Sequence, residues 1–89
     1  METITHPTLV QLVAAGAVRV VVAVGQPGGW TLLVRYGLAE RALAAQRSKQ
    51  VRVFRKLDTL VLYLQQIGVS RFEVDAAGFI VAPKPLQGV

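Results

Sequence analysis

The sequence predicts an α+β domain, an antiparallel sheet with two helices on one face. Two segments carry apolar residues at helical spacing, and the residues between them alternate with the period of two that is typical of strands. At 89 residues, with 53% hydrophobic and 17% charged side chains, the chain suits one domain and not a disordered one. We expect the order α-β-β-β-β-α-β in a single domain over residues 1–80, with a disordered tail over residues 81–89.

The first helix is predicted over Pro7–Ala15. Proline suits the first turn of a helix, because its missing N–H would have no partner there, and Thr5 or His6 would precede it as the cap. Gly16 can end the helix in a left-handed conformation.

A β-hairpin follows, with its turn in the glycine-rich segment 25–29. Valines alternate along the first strand, and Trp30 to Tyr36 alternate in the same way along the second. Glycine and proline together favour a tight reversal between the strands. A second apolar face is expected to stay uncovered by the helices and to mediate a homodimer or higher oligomer; we assign to it Val21, Ala23, Leu33 and Leu43.

The second half of the chain contains one ambiguous segment. Alanines in residues 38–46 favour a helix, but a helix would need a further connection, so we predict a third strand of a meander and keep the helix open as the alternative. A short strand is predicted over Val51–Phe54 and a final one over Arg71–Asp75. Between them Asp58 is predicted to cap a helix with an apolar stripe that includes Leu64.

The basic residues are concentrated in one stretch of the chain. Seven of the 10 fall between Arg35 and Lys56, where Glu40 is the only acid, although the whole chain carries a net charge of +5. Such a concentration favours polyanions or acidic protein surfaces as partners. Five of these residues crowd around one predicted loop and are the candidate binding residues: Arg47, Lys49, Arg52, Arg55 and Lys56. The alternative is a solvated face that keeps an apolar protein soluble.

No residue pattern indicates an enzyme, a metal site or a cofactor. The chain has no cysteine and a single histidine, His6, which we interpret as a cap or an exposed residue. Glu73 and Asp75 share an outward strand face and so do not form an acid–base pair in a pocket. The apolar runs are too short to span a membrane and the first residues do not resemble a secretory signal, so we expect a cytoplasmic protein.

Several motifs together resemble one family. The chain is similar to the small plasmid-encoded ParC-family partition-associated proteins over roughly the first 75 positions, and the turn before Trp30 is the most specific part. The matching segments are His6–Leu9, Gly25–Trp30, Leu43–Arg47, Val53–Val61, Tyr63–Leu64, Ile67–Gly68 and Arg71–Asp75. The resemblance implies a role in plasmid maintenance without a defined biochemical activity. We therefore expect a non-enzymatic accessory protein with a basic patch for DNA or an acidic protein; the alternative is a homo-oligomeric interaction module without nucleic-acid binding.

Overall fold

In the computed structural model, residues 2–80 are described, and they form a five-stranded mixed sheet with two helices. The strands are β1 (Thr3–Ile4), β2 (Val18–Gln26), β3 (Gly29–Tyr36), β4 (Ala39–Leu43) and β5 (Glu73–Asp75), and the helices are α1 (His6–Ala14) and α2 (Leu57–Gln66). The spatial order in the sheet is β1-β4-β3-β2-β5. The predicted α+β class is confirmed, and the ambiguous segment 38–46 contains a strand, β4. The predicted tail over residues 81–89 lies outside the described residues.

The sheet differs from the prediction at both edges. Only β2, β3 and β4 run antiparallel, whereas β1 is parallel to β4 and β5 is parallel to β2. The two-residue β1 has too few positions to show an alternating pattern, so it was not predicted. The predicted strand over Val51–Phe54 is instead an extended connection, in which only its first and last residues form isolated bridges, to Ala44 and Trp30.

The helix caps are partly as predicted. Thr5, one of the two expected candidates, precedes α1 as its N-cap. The cap of α2 is Lys56, two residues before the predicted Asp58. Asp58 lies in the first turn instead, where its negative charge interacts favourably with the positive end of the helix dipole. Neither helix among the described residues is long and apolar enough to cross a membrane.

The hairpin register decides which side chains meet the helices. Pro27 and Gly28 form the reversal, and the positive φ of 80° at Gly28 is the conformation that glycine adopts readily. Val21 then pairs with Val34, whereas Leu33 pairs with Val22 on the opposite face of the sheet. The predicted grouping of Leu33 with Val21 is therefore wrong, because neighbours in register share a face.

The core lies between this first face of the sheet and the two helices. Leu9 from α1 and Leu60 and Leu64 from α2 are completely buried in one cluster with Leu32 and Val34 of β3. Val21, Ala23 and Leu43 belong to the same cluster, so three of the four residues predicted on an uncovered face are core residues. Both helices consequently cover one face of the sheet, as the sequence predicts.

Candidate nucleic-acid interface

The five candidate cations lie on the connection between β4 and α2, which we call the basic segment: Arg47, Lys49, Arg52, Arg55 and Lys56. All five side chains are exposed. Arg47 and Lys49 occupy a tight reversal, in which the Lys49 amide donates to the Ala45 carbonyl at 2.9 Å and the Ala45 amide donates to the Gln50 carbonyl at 2.8 Å. Lys49 has a φ of 63°, and this left-handed conformation is uncommon for a residue other than glycine.

Arg52 is held by two aromatic rings. Its guanidinium carbon lies 4.4 Å from the centre of the Phe54 ring and 5.2 Å from that of Tyr63. Residues two apart in an extended segment project to the same side, which brings Arg52 over Phe54. The second ring, that of Tyr63, comes from α2. These cation–π contacts orient the guanidinium while the residue remains exposed.

Arg55 and Lys56 stand at the start of α2. Cations at a helix N-terminus are unfavourable, because the helix dipole places partial positive charge there. Neither side chain contributes a cap hydrogen bond, and Asp58 is the acid in the first turn. The stability of α2 therefore does not explain the two charges, whereas a bound anion would be attracted both by them and by the helix end.

The charge of the basic segment is not neutralised within residues 2–80. Ion pairs in this part of the chain join Arg35 to Glu40 at 2.6 Å and Arg41 to Glu2 at 2.9 Å. None of the five basic-segment side chains forms an ion pair with another described residue. The five cations predicted from the sequence are thus exposed and have no ion-pair partner within residues 2–80.

One contact beside the basic segment was not predicted. His6, at the start of α1, is exposed, but its Nδ1 lies 2.8 Å from the hydroxyl oxygen of Tyr63. Tyr63 therefore contacts both His6 and Arg52. Burial raises the pKa of Tyr63 above its ordinary value of 10.0, and the nearby Arg52 charge partly opposes this shift. The sequence contained one signal for this contact, a tyrosine within the apolar stripe of α2. Such a tyrosine is buried, and a buried hydroxyl needs a hydrogen-bond partner.

The single tryptophan and the two acids of β5 have structural roles. Trp30 is 6% exposed and stacks on Phe79, with 4.8 Å between ring centres, so it presents no free face for a nucleotide base. Glu73 and Asp75 are exposed on the outer strand, as predicted. The Asp75 carboxylate accepts the Ala77 amide at 3.1 Å, which is typical of a turn at a strand end.

These features define a small α+β protein with an exposed basic connection before its second helix, which no acid among residues 2–80 neutralises. The sequence model of the ParC-like family matches residues 4–83. Because this match covers most of the chain, the protein belongs to the ParC-like family, and the resemblance noted from its motifs is confirmed. No curated protein and no solved structure matches the chain.

Proposed function

We propose that this ParC-like protein is a cytoplasmic, non-enzymatic accessory protein of plasmid partition or maintenance, which self-associates and binds DNA through the basic segment. The observation that carries the proposal is the set of five exposed cations without an ion-pair partner among residues 2–80. Membership of the ParC-like family supports a role in partition, and the positive charge supports DNA as the ligand.

Phosphate contacts explain this arrangement better than a solubility role does. A solvated face needs charge of either sign and no particular placement, whereas here the cations follow one short connection and two of them lie at the positive end of α2. DNA backbone phosphates take such contacts without reading sequence. We therefore expect weak, sequence-tolerant binding, with dissociation constants of roughly 10⁻⁴ to 10⁻⁶ M at physiological salt.

An acidic protein is the competing ligand, and a self-associating interaction module is the competing function. Arg52 does not distinguish DNA from an acidic protein, because the geometry of a guanidinium group suits both carboxylates and phosphates. The salt dependence separates them, since DNA binding releases counterions from the duplex and gives a steep slope.

The test compares two double variants that remove the same charge. Arg55→Ala/Lys56→Ala lies within the basic segment, and the matched control Arg19→Ala/Arg71→Ala removes two exposed cations elsewhere. Binding to random duplex DNA is measured by fluorescence anisotropy across a salt series. We expect the first variant to lower the salt slope by about 0.9 for each lost phosphate contact, while the control keeps a slope close to that of the wild type.

Two results would reject DNA binding through this segment. One is the absence of wild-type binding even at low salt. The other is an equal loss in both double variants, which would show that only the total charge matters. If an acidic protein partner then lost association rate with the first variant alone, the interaction-module function would be supported.

A further inference from the structure

Arg52 differs from the other four cations of the basic segment in the surroundings of its side chain. Its guanidinium lies over the rings of Phe54 and Tyr63, whereas the other four make no contact of this kind with a ring of residues 2–80. A long charged side chain normally becomes ordered only when it binds, at a cost in conformational entropy. For Arg52, part of that ordering is already present in the folded protein.

The two rings under Arg52 are fixed by the core. Phe54 is 3% exposed and Tyr63 is 9% exposed, and both belong to the cluster between the sheet and the helices. Their ring centres lie 5.6 Å apart with a tilt of 51°, an arrangement that aromatic pairs favour. Close packing leaves such rings little freedom. They therefore present a fixed surface to the guanidinium.

The main chain around Arg52 is also held in place. The Arg52 amide donates to the Leu43 carbonyl at 2.9 Å, which joins the basic segment to the end of β4. Two residues further on, Phe54 and Trp30 exchange backbone hydrogen bonds of 2.7 and 2.8 Å, which join the segment to β3. Both the main chain and the charged end of Arg52 are thus oriented by contacts within the domain.

The oriented guanidinium has no acceptor among residues 2–80. Arg52 forms no ion pair and no side-chain hydrogen bond with another residue of this range, and its side chain is exposed. A guanidinium carries five N–H donors in a planar fork, which fits two oxygens of one phosphate group at the same time. This geometry suits an oxygen-bearing anion that comes from outside the domain.

We propose that Arg52 forms a bidentate contact with one DNA phosphate, and that Phe54 and Tyr63 are positioning residues that keep its guanidinium oriented for this contact. The inference rests on the proposed function and assigns unequal roles to the five cations. The other four attract the duplex through their charge. Arg52 adds an oriented contact, so its contribution to affinity exceeds that of its charge.

Salt titrations of binding to random duplex DNA separate charge from orientation. The salt slope counts the neutralised phosphates, whereas the dissociation constant extrapolated to 1 M salt contains what counterion release does not supply. Arg52→Lys keeps the charge and removes the fork, so the slope should stay and the extrapolated constant should rise about 3- to 10-fold. Arg55→Lys makes the same exchange without a ring contact and should raise this constant less than about 2-fold.

Substitutions of Tyr63 test the positioning role. Tyr63→Leu removes a ring without changing the charge, so affinity should fall about 3- to 10-fold at an unchanged salt slope. Tyr63→Phe retains the ring and should restore most of this affinity, although it loses the hydrogen bond with His6. Tyr36→Leu removes another ring that packs against the core and controls for general loosening; it should bind DNA as the wild type does.

A double variant tests whether the ring acts through Arg52. Arg52→Lys/Tyr63→Leu should lose less affinity than the product of the two single losses, because both substitutions remove the same oriented contact. Fully multiplicative losses would overturn the positioning role. NMR relaxation of the free protein supplies a second measurement: the order parameter of the Arg52 Nε–H bond should exceed that of Arg55 and should fall in Tyr63→Leu. Equal order parameters in the wild type would also overturn it.

Three results distinguish this inference from the proposed function. Absence of wild-type DNA binding at low salt rejects the proposed function, and the role of Arg52 with it. DNA binding that Arg52→Lys and Arg55→Lys weaken equally overturns only this inference, since the cations then act as charges alone. A loss of stability in Arg52→Lys with unchanged DNA binding also overturns only this inference, because Arg52 would then merely cover the two rings.

Discussion

The hydroxyl of Tyr63 and Nδ1 of His6 lie 2.8 Å apart and join the middle of α2 to the first residue of α1. In the histidine tautomer protonated on Nε2, the hydroxyl donates to Nδ1. The two rings are 5.5 Å apart and tilted, and Tyr63 also contacts the ring of Phe54. A buried tyrosine thus obtains its polar partner from the other helix, and its ring also contacts Arg52 of the basic segment.

Tyr63→Phe should destabilise the protein by about 0.5–1.5 kcal/mol, because it removes this hydrogen bond and keeps the ring. Urea unfolding followed by circular dichroism measures the change. His6→Ala should cost a similar amount, and the double variant should cost less than the sum of the two, since one interaction is lost in all three. Fully additive losses would show that the two side chains do not interact.

Tyr63 should also make stability depend on pH in the alkaline range. Burial raises its pKa in the folded protein above 10.0, so the unfolded chain loses the phenol proton first as the pH rises. The folded state is then the one that binds more protons, and the free energy of unfolding falls above about pH 10. Tyr63→Phe should reduce this fall relative to the wild type, which separates Tyr63 from the lysines that titrate nearby. An identical pH dependence in both proteins would contradict the shift.

The hairpin was predictable from the sequence because its strands alternate over eight or nine residues and glycines mark the turn. The face of the sheet on which Leu33 lies was not predictable, because both faces of β2 are apolar. The pairing of Val22 with Leu33 shows that Leu33 lies on the face away from the helices. The parallel edges β1 and β5 depend on contacts distant in the chain. The exposed basic segment was predictable from charge alone, whereas the ring support of Arg52 requires α2 to be in place.

Leu64→Ala should cost about 2–5 kcal/mol of unfolding free energy, because Leu64 is completely buried and its truncation leaves a cavity in the core. Leu62→Ala, two residues away in α2, is the control, since its side chain is 58% exposed. The control should lie within about 0.5 kcal/mol of the wild type. Equal effects at the two positions would mean that α2 packs through a different face.

Gly29→Ala should be strongly destabilising for lack of space. A Cβ at this position would lie 2.6 Å from a methyl carbon of Val53 and 2.7 Å from the carbonyl oxygen of Phe54. The neighbouring Gly28 has open space but a positive φ, which asparagine tolerates better than other side chains. Thermal unfolding should therefore show a larger loss of stability for Gly29→Ala than for Gly28→Asn, although alanine is the smaller side chain. The reverse order would show that the connection after β4 does not approach the hairpin so closely.

Phe79→Ala tests whether the last described residues lie on the hairpin. Phe79 stacks on Trp30, and the Gly28 amide donates to the Ile80 carbonyl at 2.8 Å, so residues 79 and 80 lie against the turn between β2 and β3. Trp30 is the single tryptophan of the chain, and its fluorescence reports this contact without interference from a second one. Loss of the stacked ring should expose the indole, shift its emission to longer wavelength and cost about 0.5–1.5 kcal/mol beyond the lost burial.

Phe72→Ala is the matched control: Phe72 also packs against the core, but Trp30 stacks on Phe79. A shift of equal size in the control would reflect general loosening of the core, whereas a shift in Phe79→Ala alone places this segment directly over the tryptophan.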